Sequence, residues 1–316
     1  MGNCGCRCVK QLDDNYQDEF NAANEIPLTN LNSIPNEPFQ TIYNEDENLK
    51  YTLHQNEEIT TQAQSQHHVH RFIWQSNFSS PVEELLRKGN ARVLDVGCGE
   101  GPWVLDLASE FQWSLFTGVD VSPVFDHKIG QLNATFIKAD VLNGLPFDPD
   151  TFDFVHVGFV PFSEKQWQER IARELVRMCK PGGWIEVMDN DNEICQSGLI
   201  TKKLDAAYRG YLTVKSENNE PLINPRFEEY LTSTGQIINI KREEKSCNLG
   251  SRGGQLGIHL VQEMIAKWER AKEVMSELMG VTIEEFNAHI RTFEKEVNDS
   301  KTYIKYLRVY GQKSSN

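Results

Sequence analysis

The chain has 316 residues, 39% of them hydrophobic and 25% charged, with a formal net charge of −14. That much apolar material can bury a core, so a wholly disordered chain is excluded, and the length allows one large domain or two ordinary ones. No run reaches the roughly 18–20 apolar residues that a membrane-spanning helix needs, and the first 30 residues lack the apolar stretch of a secretory signal. An acidic chain repels phosphate backbones at long range, so no nucleic-acid partner is expected.

The charge is uneven. Residues 1–66 hold 11 acidic and 3 basic side chains and are rich in Asn, Gln and Pro, which predicts a disordered acidic tail. The folded part is expected over 67–316, with a core at 90–190 and a helical region plus the last strands at 191–316. Three of the seven cysteines, Cys4, Cys6 and Cys8, crowd the start, and Cys98, Cys179, Cys195 and Cys247 are scattered. That is no disulfide framework; it suits a reducing compartment, and a cytoplasmic protein is expected, with a lipid-anchored or a nuclear one as the alternatives.

From residue 67, His70 to Trp74 and Val82 to Arg87 have helical spacing, broken between Asn77 and Pro81. Arg92 to Val96 is a short β-rich run ending in glycines. Trp103 to Phe111 predicts a helix, Ser114 to Asp120 a second strand and Ala134 to Ala139 a third. Phe152 to Val157 predicts a fourth strand, followed by a helix over Glu164 to Cys179. Lys180-Pro181-Gly182-Gly183 predicts a turn, and Trp184 to Met188 a fifth strand. Strands alternating with helices imply right-handed crossovers and a parallel sheet covered on both faces. Beyond it, helices are expected at Ile194–Tyr211, Pro225–Ser233, 254–279 and 282–297, with extended runs at Gly235–Cys247 and Thr302–Tyr310.

The most informative segment is Val93-Leu94-Asp95-Val96-Gly97-Cys98-Gly99-Glu100-Gly101. A strand running into three glycines and then a helix brings backbone close to a ligand. The spacing is G-x-G-x-G with Pro102 next, not the G-x-G-x-x-G of a dinucleotide site, and no Lys-Ser/Thr follows for a phosphate loop. Asp95, two positions before the first glycine, suits a ligand carrying an ammonium group. Asp120, at the end of the second strand, can accept both hydroxyls of a ribose. Asp140, at the end of the third, could meet an adenine amino group; for each aspartate the plainer reading is a helix cap or turn residue.

These residues resemble the class I S-adenosylmethionine-dependent methyltransferases. Asp95 to Gly101 is similar to the family's first motif. Asp120 and Asp140 fall where its ribose and adenine acids lie, Leu145-Pro146-Phe147 through Phe152-Asp153 looks like its L-P-F…F-D run, and Lys180-Pro181-Gly182-Gly183-Trp184 looks like its K-P-G-G turn. The resemblance covers residues 90–190 and implies a Rossmann-like, seven-stranded, mostly parallel α/β sheet with helices on both faces and an antiparallel last strand. It implies S-adenosylmethionine as cofactor, held by Asp95, Gly97, Cys98, Gly99, Gly101, Asp120, Val121, Asp140, Val141 and His156. Arg71 to Pro81 resembles a segment preceding the first motif in fungal methyltransferases, among them regulators of secondary metabolism. There it would help cover the cofactor, with Phe78 as a lid contact.

The reaction expected is methyl transfer to an unidentified small-molecule or protein acceptor. In-line transfer from a sulfonium needs positioning above all, and a base only where the acceptor must lose a proton. On the acceptor side, His156 is a candidate base or cofactor contact, against the plainer reading of a strand-end histidine satisfied by backbone. Phe159, Phe162 and Trp167 could wall an apolar pocket or pack the core. Cys98 reads as a small residue in a tight turn, and Gln66-His67-His68-Val69-His70 as a solvated helix start rather than a metal site. The stripe of Leu256, Leu260, Met264, Ile265, Trp268, Val274 and Leu278 reads as core, with a substrate cap or dimer face as the other use. Met1-Gly2-Asn3-Cys4 resembles an acylation signal, with Gly2 for myristate and Cys4, Cys6 or Cys8 for palmitate, which would associate the chain with a membrane, although Cys6 stands where the motif has Ser or Thr; the plainer reading is an ordinary disordered start. Two readings compete with the enzyme: a methyltransferase-like regulatory module without catalysis, and a nicotinamide-dependent oxidoreductase.

Overall fold

A computed structural model describes residues 57–122, 132–160, 162–190, 193–215 and 226–315, without the side chains of 57–63 and 65. Most of the acidic tail and the acylation signal at Gly2, Cys4, Cys6 and Cys8 lie outside these residues. Two compact units divide the chain, Met1–Ile73 and Trp74–Asn316. The helix α1 spans Glu57–Trp74, all but its last residue in the first unit. It starts ten residues before the apolar pattern does, because the stretch from Glu57 contains no Gly or Pro and opens on two glutamates that suit a helix N-terminus.

In the second unit a short helix α2 (Glu83–Lys88) precedes β1 (Arg92–Val96), α3 (Pro102–Glu110), β2 (Leu115–Asp120), β3 (Ala134–Lys138) and β4 (Phe152–Gly158). A helical run follows, made of α4 (Glu164–Gln166), a π-turn over Trp167–Ile171 and α5 (Ala172–Met178). Then come β5 (Cys179–Asn190), α6 (Leu199–Lys215), α7 (Phe227–Ser233), β6 (Ile237–Asn248), α8 (Gly254–Arg270), α9 (Lys272–Met279), α10 (Ile283–Asp299) and β7 (Tyr303–Lys313). The seven strands form one sheet in the order β3-β2-β1-β4-β5-β7-β6. The first five pair in parallel, and β7 lies antiparallel between β5 and β6. This is the α/β fold expected.

Both faces of the central strands are covered. Leu94, Val96, Val155 and Val157 point into one core with Leu175, Val187 and Val309, while Val93 and Phe154 point into the other with Trp103, Val104 and Phe116. Strand order reverses between β1 and β4, because β2 and β3 lie on one side of β1 and the later strands on the other. Such a switch point opens a crevice at the carboxyl ends of the strands.

Some boundaries differ from expectation for local reasons. Lys180 to Gly183 is no terminal turn but a bulge inside β5: Phe152 pairs with Cys179 and Phe154 with Trp184, so four residues loop out, Gly182 at φ +79. Cys179 accordingly belongs to the strand and not to the preceding helix. The expected helix 254–279 is two helices, since the Ala271 amide bonds to Trp268 O three residues back, tightening the turn where the first helix ends. Leu260 and Trp268 of its stripe are buried, whereas Leu278 is exposed. Among the described residues no helix is long and apolar enough to cross a membrane.

Candidate functional site

The crevice begins at the glycine loop. Gly97, Gly99 and Gly101 all have left-handed φ, +74, +54 and +83, a conformation that other residues adopt only with strain. They differ in what they face. A Cβ on Gly97 would collide with Val160 Cγ1 and one on Gly101 with the Phe136 ring, whereas one on Gly99 would meet nothing within 4 Å. The opening therefore lies at Gly99 and not at Gly97. Gly101 is a packing glycine that ends the loop as N-cap of α3, with Pro102 at the first helical position.

Asp120 holds this loop from the neighbouring strand. Its Oδ2 accepts the Gly99 amide at 2.9 Å and its Oδ1 the Ser122 amide at 2.8 Å. Burial pushes its carboxyl pKa up, against the pull of these amides. An ionised carboxylate has about four acceptor sites, so two remain for a ligand.

Asp95 does not face the opening. It is 4% exposed, and its Oδ1 lies 2.7 Å from Nδ1 of His156, its register partner on β4. The His156 ring stacks on Trp103, centroids 4.1 Å apart and planes 6° from parallel. Its Nε2 is buried with no hydrogen-bond partner, directed toward Gly158, whose Cβ position lies 3.7 Å from it. The direct carboxylate–ammonium contact expected of Asp95 is thus replaced by a carboxylate–imidazole pair. Trp103 covers one ring face, and Nε2 remains in the ring plane without a hydrogen-bond partner.

Other expected contacts resolve differently. Cys98 points into the core: its thiol sits 2.8 Å from the Cβ position of Gly118, and burial holds its pKa well above the usual thiol range. Only its backbone belongs to the loop, the amide bonding to Val119 O at 3.1 Å. Asp140 caps the following 3₁₀ turn, accepting from the Leu142 amide at 2.9 Å and Asn143 Nδ2 at 2.8 Å, which is the plainer of its two readings. Val141 is buried in the core, and Val121 follows Asp120 half-buried at the loop. Phe162 and Trp167 pack with Phe227 and Tyr230 in the core, so they do not wall a pocket. Phe159, at φ +54, stands edge-on to Tyr306.

Phe78 is not a lid either. Its ring packs against Phe111 and Phe154 in the core beneath α3. The segment around it is fixed by polar contacts: Trp103 Nε1 donates to Asn77 O at 2.9 Å, Asn77 Nδ2 donates to Asp106, and the Ser79 and Ser80 amides donate to Glu186. Glu186 and its partner Arg308 were not singled out from the sequence; a charged residue at the centre of the apolar run Trp184–Met188 was the available signal.

Residues 93–183 match the family model for a methyltransferase domain. That match spans the glycine loop, Asp120, Asp140 and His156, on the sheet order already described. The chain carries a class I S-adenosylmethionine-dependent methyltransferase domain. The N-methyltransferase verN of Clonostachys rogersoniana is 24% identical over 84% of this chain and 94% of its own length. The secondary metabolism regulator LAE1 of Cochliobolus heterostrophus is 30% identical over 32% of this chain and 33% of its own. The match spans 57% of the methyltransferase str3 of Strobilurus tenacellus, about half of that relative's length. A phosphoethanolamine N-methyltransferase of Haemonchus contortus, solved with S-adenosyl-L-methionine, superposes with a TM-score of 0.45 at 18% identity, over 79% of this chain and 57% of that one.

The methyltransferase domain offers features that fit its cofactor. Open space stands before Gly99, a carboxylate with spare acceptor sites lies beside it, and the buried Nε2 of His156 lacks a partner.

Proposed function

We propose that the chain catalyses methyl transfer from S-adenosylmethionine to a small-molecule or protein acceptor. The observation that carries this reading is the Gly99–Asp120 pair: an open left-handed glycine whose amide is held by a strand-end carboxylate. Asp120 would take the ribose hydroxyls, the Gly97–Gly99 backbone would lie under the donor's amino-acid end, and Asp140 would keep its cap while bordering the adenine. Asp95 would act through His156, fixing the ring so that Nε2 is presented to the ligand. The sulfonium, when bound, supplies an electrophilic methyl group; the residues orient it and keep water away, and positioning of this kind is worth on the order of 7–11 kcal/mol.

Calorimetry with S-adenosylhomocysteine tests the donor site. Wild type should bind, and Asp120→Ala should bind at least about tenfold more weakly, the loss of about 1.4 kcal/mol expected for a charged hydrogen-bond partner. Equal heats for the two proteins would overturn the assignment. A chain that binds the donor but never transfers labelled methyl in extract of its own cells would be the regulatory module instead.

A further inference from the structure

Asp95 on β1 and His156 on β4 face each other across the gap at which the strand order reverses. Their side chains are 5% and 3% exposed, with Asp95 Oδ1 2.7 Å from Nδ1 of the ring. Trp103 of α3 stacks on one ring face, and Phe154 stands 6.5 Å away. At the far edge, the Cβ position of Gly158 lies 3.1 Å from His156 Cε1, 3.7 Å from Nε2 and 3.6 Å from Met188 Cε. Nε2 itself has no hydrogen-bond partner.

Buried polar atoms are normally paired, and an exception calls for an explanation. Here it follows from which nitrogen carries the proton. A carboxylate only accepts hydrogen bonds, so the nitrogen beside Asp95 donates, and in the neutral ring this leaves a bare lone pair on Nε2. The doubly protonated ring is the costlier form in the unliganded chain, because it buries a second N–H with no acceptor. Nε2 therefore needs a hydrogen-bond donor, and its place in the fold brings one. Gly158 ends β4 at the carboxyl edge of the sheet, where ligands of open α/β folds bind. Two residues on, Val160 packs against Gly97 of the donor loop.

The chemistry of S-adenosylmethionine selects the group. Its ribose hydroxyls fall to Asp120 and its adenine borders Asp140, while its carboxylate has no proton to give at neutral pH. Its α-ammonium has three N–H donors. The local charge agrees. The register partner of Asp95 on β2 is Gly118, and that of His156 on β5 is Glu186, whose charge is paired with Arg308 at 3.5 Å. Asp95 and a neutral His156 together carry one uncompensated negative charge, which complements an ammonium ion.

We propose that His156, held by Asp95 with its proton on Nδ1, is the residue that recognises the α-ammonium group of the methyl donor, through Nε2. This rests on the methyltransferase reading and names the part of the donor that the site selects. Asp95 is a positioning residue: it touches the ring and not the donor, fixes the tautomer, and polarises the imidazole so that Nε2 is a stronger acceptor.

The test is calorimetry on the full chain with three ligands: S-adenosylhomocysteine, its deaminated analogue, which keeps the carboxylate, and its decarboxylated analogue, which keeps the ammonium. Wild type should bind S-adenosylhomocysteine at least about tenfold more tightly than the deaminated analogue. His156→Asn can still donate to Asp95 but has no atom at the Nε2 position. It should bind S-adenosylhomocysteine and the decarboxylated analogue at least about tenfold more weakly than wild type does. Its affinity for the deaminated analogue should be unchanged, which also shows that the fold and the rest of the donor site are intact. Nitrogen NMR of the wild-type chain needs no variant: one ring among the eight histidines should carry a protonated Nδ1 and a bare Nε2, whose signal moves with S-adenosylhomocysteine and not with the deaminated analogue. Equal binding of those two ligands to wild type would leave Nε2 to an ordered water and overturn the proposal. So would a His156→Asn protein that still discriminates between them, a loss that follows the carboxylate instead of the ammonium, or the absence of a responding Nε2. Failure of S-adenosylhomocysteine itself to bind would overturn the donor reading, and this one with it.

Discussion

Arg308 and Glu186 form an ion pair sealed inside the molecule, Nε 3.5 Å from Oε1, with side chains 1% and 0% exposed. Burial lowers the Arg308 pKa to about 10, yet leaves it charged at neutral pH. What makes the pair tolerable is its roof. Glu186 accepts from the Ser79 and Ser80 amides and the Ser80 hydroxyl, while Arg308 donates to the Ser76 hydroxyl and carbonyl and lies 4.6 Å from the Trp74 ring centre. Trp74 to Ser80 is thereby fastened across β5 and β7.

Removing one partner leaves the other charged and buried, so Arg308→Met should destabilise the fold by about 3–5 kcal/mol. Replacing both, as Arg308→Met with Glu186→Leu, should cost less than the single change, even though the Ser79 and Ser80 amides then lose their acceptor. Urea unfolding of the three proteins makes the comparison. A single-variant cost below about 1 kcal/mol would show that the pair does not anchor the segment.

The loop glycines give a paired prediction. Gly99 faces open space, so Gly99→Val should keep the fold at a strain cost of about 1–3 kcal/mol while its side chain fills the crevice and blocks S-adenosylhomocysteine. Gly101→Ala should do the reverse in part: its Cβ would lie 2.2 Å from Phe136 Cε1, so the main loss should be thermal stability. Melting curves and calorimetry on both variants separate the two roles. A Gly99→Val protein that still binds the donor normally would move the site elsewhere.

The donor loop was legible because its signals are local. Three glycines, a proline and a strand-end acid lie within 26 residues, Asp95 to Asp120, and their spacing alone separates this loop from dinucleotide and phosphate loops. The direction of Asp95 was not legible. Both faces of β1 are covered, so the run Arg92–Val96 carries no alternation to say which side each residue meets. Phe78, expected as a lid contact, turned into the core for the same reason: position along the chain does not show which way a side chain turns. Arg308 pairs with Glu186 across 122 residues of sequence, and Asp189 lies within electrostatic reach of Lys267, 78 residues on. Contacts at that separation leave no periodic trace.

Asp189 also sets a pH signature for the folded chain without ligand. Its carboxyl lies at about 7 in the fold against about 3.9 in an unfolded chain, so between those values the native state binds more protons and stability falls as pH rises. The contribution is complete below about pH 4 and gone above about pH 7. Asp205 on α6, raised to about 6 by burial, acts in the same direction over a narrower window, so the isolating measurement is a difference. Asp189→Asn should be close to neutral at pH 4.5 and more stable than wild type by about 1–3 kcal/mol at pH 8, discounting the full shift because the group is only half-buried. Urea unfolding of both proteins at the two pH values reads this directly. A difference that does not grow with pH would mean that Asp189 is ionised throughout, and that the site beside Lys267 is wetter than its geometry indicates.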